Sequence, residues 1–158
     1  MFKTSLIIGG SGMLAEASRW LAARSHKTVI VSRHAGAFAA GLSSAVAVEA
    51  NWDGPDFRAA IEQVLARAPV QAALLWLHDP EPVLAWLLPL LAGARIVLVL
   101  GSTHGAPAMP AQASGLIVVR LGRIGTGERW RWLTHEEISQ GAIAALTDGR
   151  SRNVGLPL

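Results

Sequence analysis

The 158-residue chain carries a formal net charge of +3, is 51% hydrophobic, and contains neither cysteine nor tyrosine. That length and apolar content exclude a disordered chain and give a single domain, residues 1–158, with a core of its own. The absence of cysteine excludes a disulfide framework, thiolate chemistry and zinc–thiolate sites, and fits a reducing cytoplasm.

In chain order, Ser5–Gly9 reads as a buried strand, too short an apolar run for the core of a signal peptide. It passes through Gly9-Gly10-Ser11-Gly12-Met13-Leu14-Ala15 into a helix whose apolar residues Met13, Leu14, Ala17, Trp20 and Leu21 share one face. Gly10-x-Gly12-x-x-Ala15 fits the fingerprint of a turn that seats a dinucleotide pyrophosphate. Gly10 is expected to make the tight turn, Gly12 to let the backbone approach the phosphates, and Ala15 to let the helix pack close to the strand. Gly9, Gly10, Ser11, Gly12, Met13 and Leu14 are therefore the candidate cradle, where unpaired N–H groups and the positive end of the helix dipole meet an anion.

Thr28–Ser32 is a β-branched, continuous second strand of the kind a parallel sheet covers on both faces. An acidic residue after this strand would receive the ribose 2′-hydroxyl of NAD; Arg33 stands there instead. A guanidinium suits a 2′-phosphate through a bidentate, charge-assisted pair, with Ser32 adding a donor, so the expected cofactor is NADP rather than NAD. Residues 34–44 read as a loop or weak helix, with His34 on the surface, and Ala45–Glu49 as a short third strand. Asn51-Trp52-Asp53-Gly54-Pro55 reads as a turn, and Pro55 opens a helix with Phe57, Ile61, Val64, Leu65 and Ala68 on its apolar face.

Gln71–Leu77 is the fourth strand, ended by His78-Asp79-Pro80-Glu81-Pro82. The helix from Val83 to Leu91 is apolar on nearly all sides, with Pro89 kinking or shortening it. Such a helix needs cover on two sides, which predicts a homo-oligomer through residues 83–91. Pro89 and Arg95 argue against a membrane span over 83–100. Ile96–Leu100 and Leu116–Leu121 are the fifth and sixth strands, with a mobile Gly/Pro/Ala-rich loop over 102–115 between them.

Trp130-Arg131-Trp132-Leu133 alternates as a strand, the Trp pair on one face and Arg131 on the other. Apart from Arg120, Arg123, Arg129 and Arg131, the basic residues are scattered, so no nucleic-acid surface is expected. Thr134 and Glu137 form a capping box for a helix whose inner face is Ile138, Ala142, Ala145 and Leu146. The tail, 148–158, is expected to be loosely held.

Alternating strands and helices predict an α/β fold: a doubly wound parallel Rossmann sheet of about six strands in the order 3-2-1-4-5-6. Ligands collect at the carboxyl ends of the strands, near the switch between the first and the fourth. His78 and Ser102 follow strands four and five at that edge. Either can hydrogen-bond a carbonyl, and a histidine can donate a proton near neutral pH, with His104 joining on loop closure. His78, Asp79, Glu81 and His104 lack the spacing of a zinc set. No Gly-x-Ser-x-Gly elbow points to a hydrolase.

Two stretches, Ile7–Ala15 and Arg131–Ser139, resemble the short-chain dehydrogenase/reductase superfamily, and more closely a small bacterial group of short-chain-dehydrogenase-like Rossmann proteins. Ala73–His78 and Val99–Ser102 fall where that group has similar segments. The resemblance implies an NAD(P) cofactor and a reductase or dehydrogenase activity. It places Ser102 at the position of the catalytic serine, and Asn51 and Trp52 at the adenine contact, with Asn51 where the family more usually has Asp. The chain departs from the family at the acid: there is no Tyr, and the only lysines are Lys3 and Lys27, before the first and second strands. Arg cannot serve as the titrating partner because it stays protonated. Two functions follow as expectations. One is an atypical NADP(H)-dependent oxidoreductase acting on a small carbonyl or imine, with Ser102 orienting the substrate and His78 supplying the proton. The other is a catalytically silent dinucleotide sensor or interaction module.

Overall fold

The computed structural model describes residues 1–101 and 115–157. Ser102, His104 and the expected loop therefore lie outside the described residues, apart from Gly115. Seven parallel strands form one sheet in the order β3-β2-β1-β4-β5-β6-β9. They are β1 (Phe2–Ile8), β2 (Ser25–Ser32), β3 (Ala45–Glu49), β4 (Ala72–Trp76), β5 (Arg95–Leu100), β6 (Ile117–Leu121) and β9 (Arg152–Val154). The sequence-derived order holds, and β9 extends it by one strand.

The strands read as continuous apolar runs because alternate residues feed two cores. Ile7, Ile30, Leu74, Val97 and Val119 pack toward α1 (Ala15–Ala23), α2 (Ala35–Ala39) and α5 (His135–Asp148). Leu6, Val29, Val31, Leu75 and Leu98 pack on the other face, with Phe57 and Ile61 of α3 (Phe57–Arg67) and Leu84, Leu87 and Leu88 of α4 (Pro80–Leu90). Among the described residues, no helix is long and apolar enough to cross a membrane.

The leucine-rich helix buries one side within this chain. Leu84, Leu87 and Leu88, and Leu91 just beyond the helix, are all buried within this chain. The outer side holds Glu81, Pro82, Ala85, Pro89 and Leu90. Apart from Glu81 these outer residues are apolar, with Leu90 44% exposed, so the leucines of the inner side face the core while the outer side stays apolar. Pro89 falls in the last turn, so the helix simply ends one residue later.

The tail differs from its expectation. β9 pairs with β6, and the backbone of Arg123 exchanges two hydrogen bonds with that of Leu156, at 2.9 and 2.7 Å. Residues expected to be loosely held instead complete the sheet.

Between β6 and α5 stands a hairpin of β7 (Arg123–Thr126) and β8 (Arg129–Trp132). A two-residue Gly127-Glu128 connection closes it, with glycine at the first position as a tight hairpin turn requires. The Trp130 and Trp132 rings meet edge to face at 4.8 Å on one side, and Arg131 projects from the other to donate to Glu137 at 2.7 Å. The Thr134 hydroxyl accepts from the Glu137 N–H, and the Glu137 carboxylate accepts from the Thr134 N–H, so the expected capping box is formed.

The hydrogen bond from Arg131, then that from the Thr134 backbone, hold the Glu137 carboxyl at about 2, below its ordinary value of 4.5. A depressed folded pKa means that this contribution is complete above the ordinary value of 4.5 and is lost as the pH falls through the folded one. The melting temperatures of the wild type and Glu137→Gln are therefore expected to differ near neutral pH and to converge by about pH 2. A gap of constant size across that range would contradict this assignment.

Candidate functional site

The carboxyl ends of β1, β2 and β4 and the turn after β3 enclose a cleft of about 210 Å³. Gly9 leaves β1 with φ +73°, in the left-handed region, and its N–H donates to Val31 O at 3.0 Å. A Cβ on Gly9 would stand 2.6 Å from the Trp76 carbonyl oxygen. The tight turn expected at Gly10 is therefore made by Gly9. Gly10 is required for packing: a Cβ there would collide with Ile7 Cγ2 and with Ser18 Oγ, which donates to Gly10 O at 2.8 Å. Gly12 differs from both, since a Cβ there would meet none of the described atoms within 4 Å. The fold demands glycine at positions 9 and 10; at 12 only an incoming group would.

Helix α1 starts without a side-chain cap of its own, Leu14 occupying the N-cap position. The Ala15 N–H is satisfied by Gly12 O at 3.0 Å. The Ala17 N–H donates to the hydroxyl of Ser139, from α5. Local sequence carries no sign of this contact, because the two residues lie 122 positions apart.

Of the expected site residues, Gly9, Ser11, Ser32, Arg33, Trp52 and His78 line the cleft together. The Ser32 hydroxyl is buried and has no hydrogen-bond partner among the described residues. Arg33 is exposed and makes no ion pair among the described residues. The rings of Trp52 and His78 stack at 5.1 Å with 19° between their planes. The stack joins His78, which follows β4, to Trp52, which follows β3 and is one of the residues expected at the adenine. His34, expected on the surface, also lines the cleft, as do Phe57 and Trp76, which sequence reading did not assign to the site.

Gly10, Gly12, Met13, Leu14 and Asn51 are not part of that lining. The Leu14 side chain is fully buried in the core. The Asn51 carbonyl accepts from the Gly54 N–H at 2.8 Å and so closes its own turn. Lys3 and Lys27 lie toward the amino ends of β1 and β2, at the opposite edge of the sheet.

No protein-family model and no curated protein matches the chain by sequence. Its fold, however, is similar to that of solved structures along nearly its whole length. YwfH, an NADPH-dependent reductase involved in bacilysin biosynthesis, superposes with a TM-score of 0.67 at 13% identity, covering 100% of both chains. A short-chain dehydrogenase from Burkholderia cenocepacia in complex with NADP gives 0.65 at 17%, covering 98% of this chain and 89% of the other. A Rossmann-fold NAD(P)-binding family protein from Shigella flexneri gives 0.65 at 14%, covering 99% and 95%. The fold is that of the Rossmann proteins the sequence resembles.

Proposed function

We propose that this Rossmann chain binds NADP(H) across the carboxyl edge of its sheet, the pyrophosphate against the loop over Gly9 to Leu14 and the adenosine in the cleft. The observation that carries this reading is that Arg33 and the Ser32 hydroxyl, neither of which has a partner of its own among the described residues, line one cleft. A buried hydroxyl left unbonded costs stability unless something arrives to bond it, and a 2′-phosphate would satisfy both groups. The open space at Gly12 fits the same group, since a pyrophosphate can approach backbone N–H groups where no Cβ intervenes. Trp52 and His78 would offer a flat wall to the adenine.

When bound, NADPH supplies a hydride; the chain's own residues would orient the substrate, and the proton would come from solvent water. The reading favoured by the shared fold is an atypical oxidoreductase for a small carbonyl or imine. Ser102 would hold the carbonyl or imine by a hydrogen bond and exclude competing orientations. The stacking of His78 on Trp52 supports a role at the adenosine end over the proton-donating role expected from sequence. A second reading, a dinucleotide sensor without catalysis, is favoured by a specific observation: the chain has no Tyr, and both its lysines lie at the far edge of the sheet.

Incubation with NADPH and a panel of small aldehydes, ketones and imines separates the two. NADPH oxidation that depends on substrate and is lost in Ser102→Ala supports the reductase. Saturable binding without turnover on any substrate supports the sensor.

A further inference from the structure

Ser139 joins the far end of the chain to the glycine-rich loop. Its side chain is fully buried, and its hydroxyl works in both directions across the α1–α5 contact. It accepts from the Ala17 N–H at 3.2 Å and donates to the Met13 carbonyl at 3.2 Å. The first contact replaces the cap that α1 lacks. The second has a stereochemical consequence. In a planar trans peptide the C=O of one residue and the N–H of the next point in opposite directions. Drawing Met13 C=O toward α5 therefore turns Leu14 N–H away from α5. Ser18 acts in the same way one turn earlier in the loop: holding Gly10 C=O fixes the direction of Ser11 N–H, and Ser11 lines the cleft.

α5 is itself fixed at both ends. Arg131 and the Thr134–Glu137 box set its start. At its other end, the Arg95 guanidinium donates to the carbonyls of Leu146 and Thr147 at 3.0 and 3.1 Å. The segment from Arg131 to Ser139, singled out in the sequence but not used by the cleft, thus ends on a residue that touches the loop.

We propose that Ser139 is a positioning residue of the dinucleotide site: it sets the Met13–Leu14 peptide plane so that Leu14 N–H is presented to the pyrophosphate. This inference rests on the reading given under Proposed function. NADPH and 2′-AMP, which carries the 2′-phosphate but no pyrophosphate, are titrated into the wild type, Ser139→Ala, Ser139→Thr and Ile138→Val. Ser139→Ala is expected to weaken NADPH about tenfold and leave 2′-AMP within about twofold. Ser139→Thr, which keeps the hydroxyl, is expected to recover most of the loss. Ile138→Val, a change in the same buried helix face, is expected to lower the melting temperature without separating the two ligands. Should Ser139→Ala fail to fold, Ser139→Cys, of similar volume but a poor donor, carries the same comparison. Equal effects of Ser139→Ala on both ligands, or no effect on either, overturn the proposal. Failure of the underlying reading shows separately, as a wild type that binds no NADPH.

Discussion

Gly12→Ala is expected to lose its dinucleotide and keep its fold. A Cβ at this position meets none of the described atoms within 4 Å, and the backbone is outside the left-handed region, so the described fold has room for it. The stability change should fall within about 0.5 kcal/mol, as for a surface substitution. A bound pyrophosphate must come close to the same backbone, and the added methyl stands between. NADPH affinity is expected to fall on the order of a hundredfold, about 2.7 kcal/mol. Gly9→Ala makes the opposite case: at φ +73° a Cβ would lie 2.6 Å from a backbone oxygen of β4, and that oxygen cannot move without disturbing the sheet. Left-handed strain and the clash together should destabilise by about 3 kcal/mol or more. Thermal melts and NADPH titrations of the two variants, side by side, check both expectations. Wild-type affinity in Gly12→Ala would remove the loop from the binding site.

Arg33→Ala is expected to change which dinucleotide the protein prefers. A charge-assisted hydrogen bond contributes about 1.5–3 kcal/mol, so NADPH should weaken roughly ten- to hundredfold. NADH carries no 2′-phosphate and should bind Arg33→Ala as it binds the wild type. 2′-AMP competition reads the same contact without the nicotinamide half. Equal losses for NADPH and NADH would mean that Arg33 serves the cleft in some way other than by pairing a phosphate.

The order of the sheet was legible because both of its faces are covered, which makes β4, β5 and the carboxyl-terminal halves of β1 and β2 nearly continuous apolar runs. β9 left no such trace. Arg152-Asn153-Val154 is polar, it lies at the edge of the sheet, and the backbone bonds around Gly122, Arg123 and Leu156 that hold the tail have no side-chain signature. β7 is four residues long and includes a glycine, too short for alternation to show; the Gly127-Glu128 turn was the available signal.

At the site, the spacing of the glycines marked the loop, but the division of labour among them depends on neighbours distant in sequence. Gly9 answers to Trp76, Gly10 to Ser18 and Ile7, and Gly12 to none of the described atoms. The position of His78 at a strand end was legible. Its stacking on Trp52 was not, because the two rings come from different β–α connections and only the parallel register brings those together. The outward placement of Ala85 and Pro89 on α4 was hidden for a related reason: hydrophobic pattern says how much apolar surface a helix has, and the width of the sheet decides how much of it is covered.

The central claim is that a dinucleotide rests against the backbone that follows β1. Amide resonances of Gly10 to Leu14, followed by NMR as NADPH is added, test it most directly. The account predicts that these amides shift together and saturate at one equivalent per chain, with Arg33 and Trp52 following the same curve and NADPH saturating at lower concentration than NADH. Amides that stay in place at millimolar NADPH, or shifts confined to another face of the sheet, would contradict it.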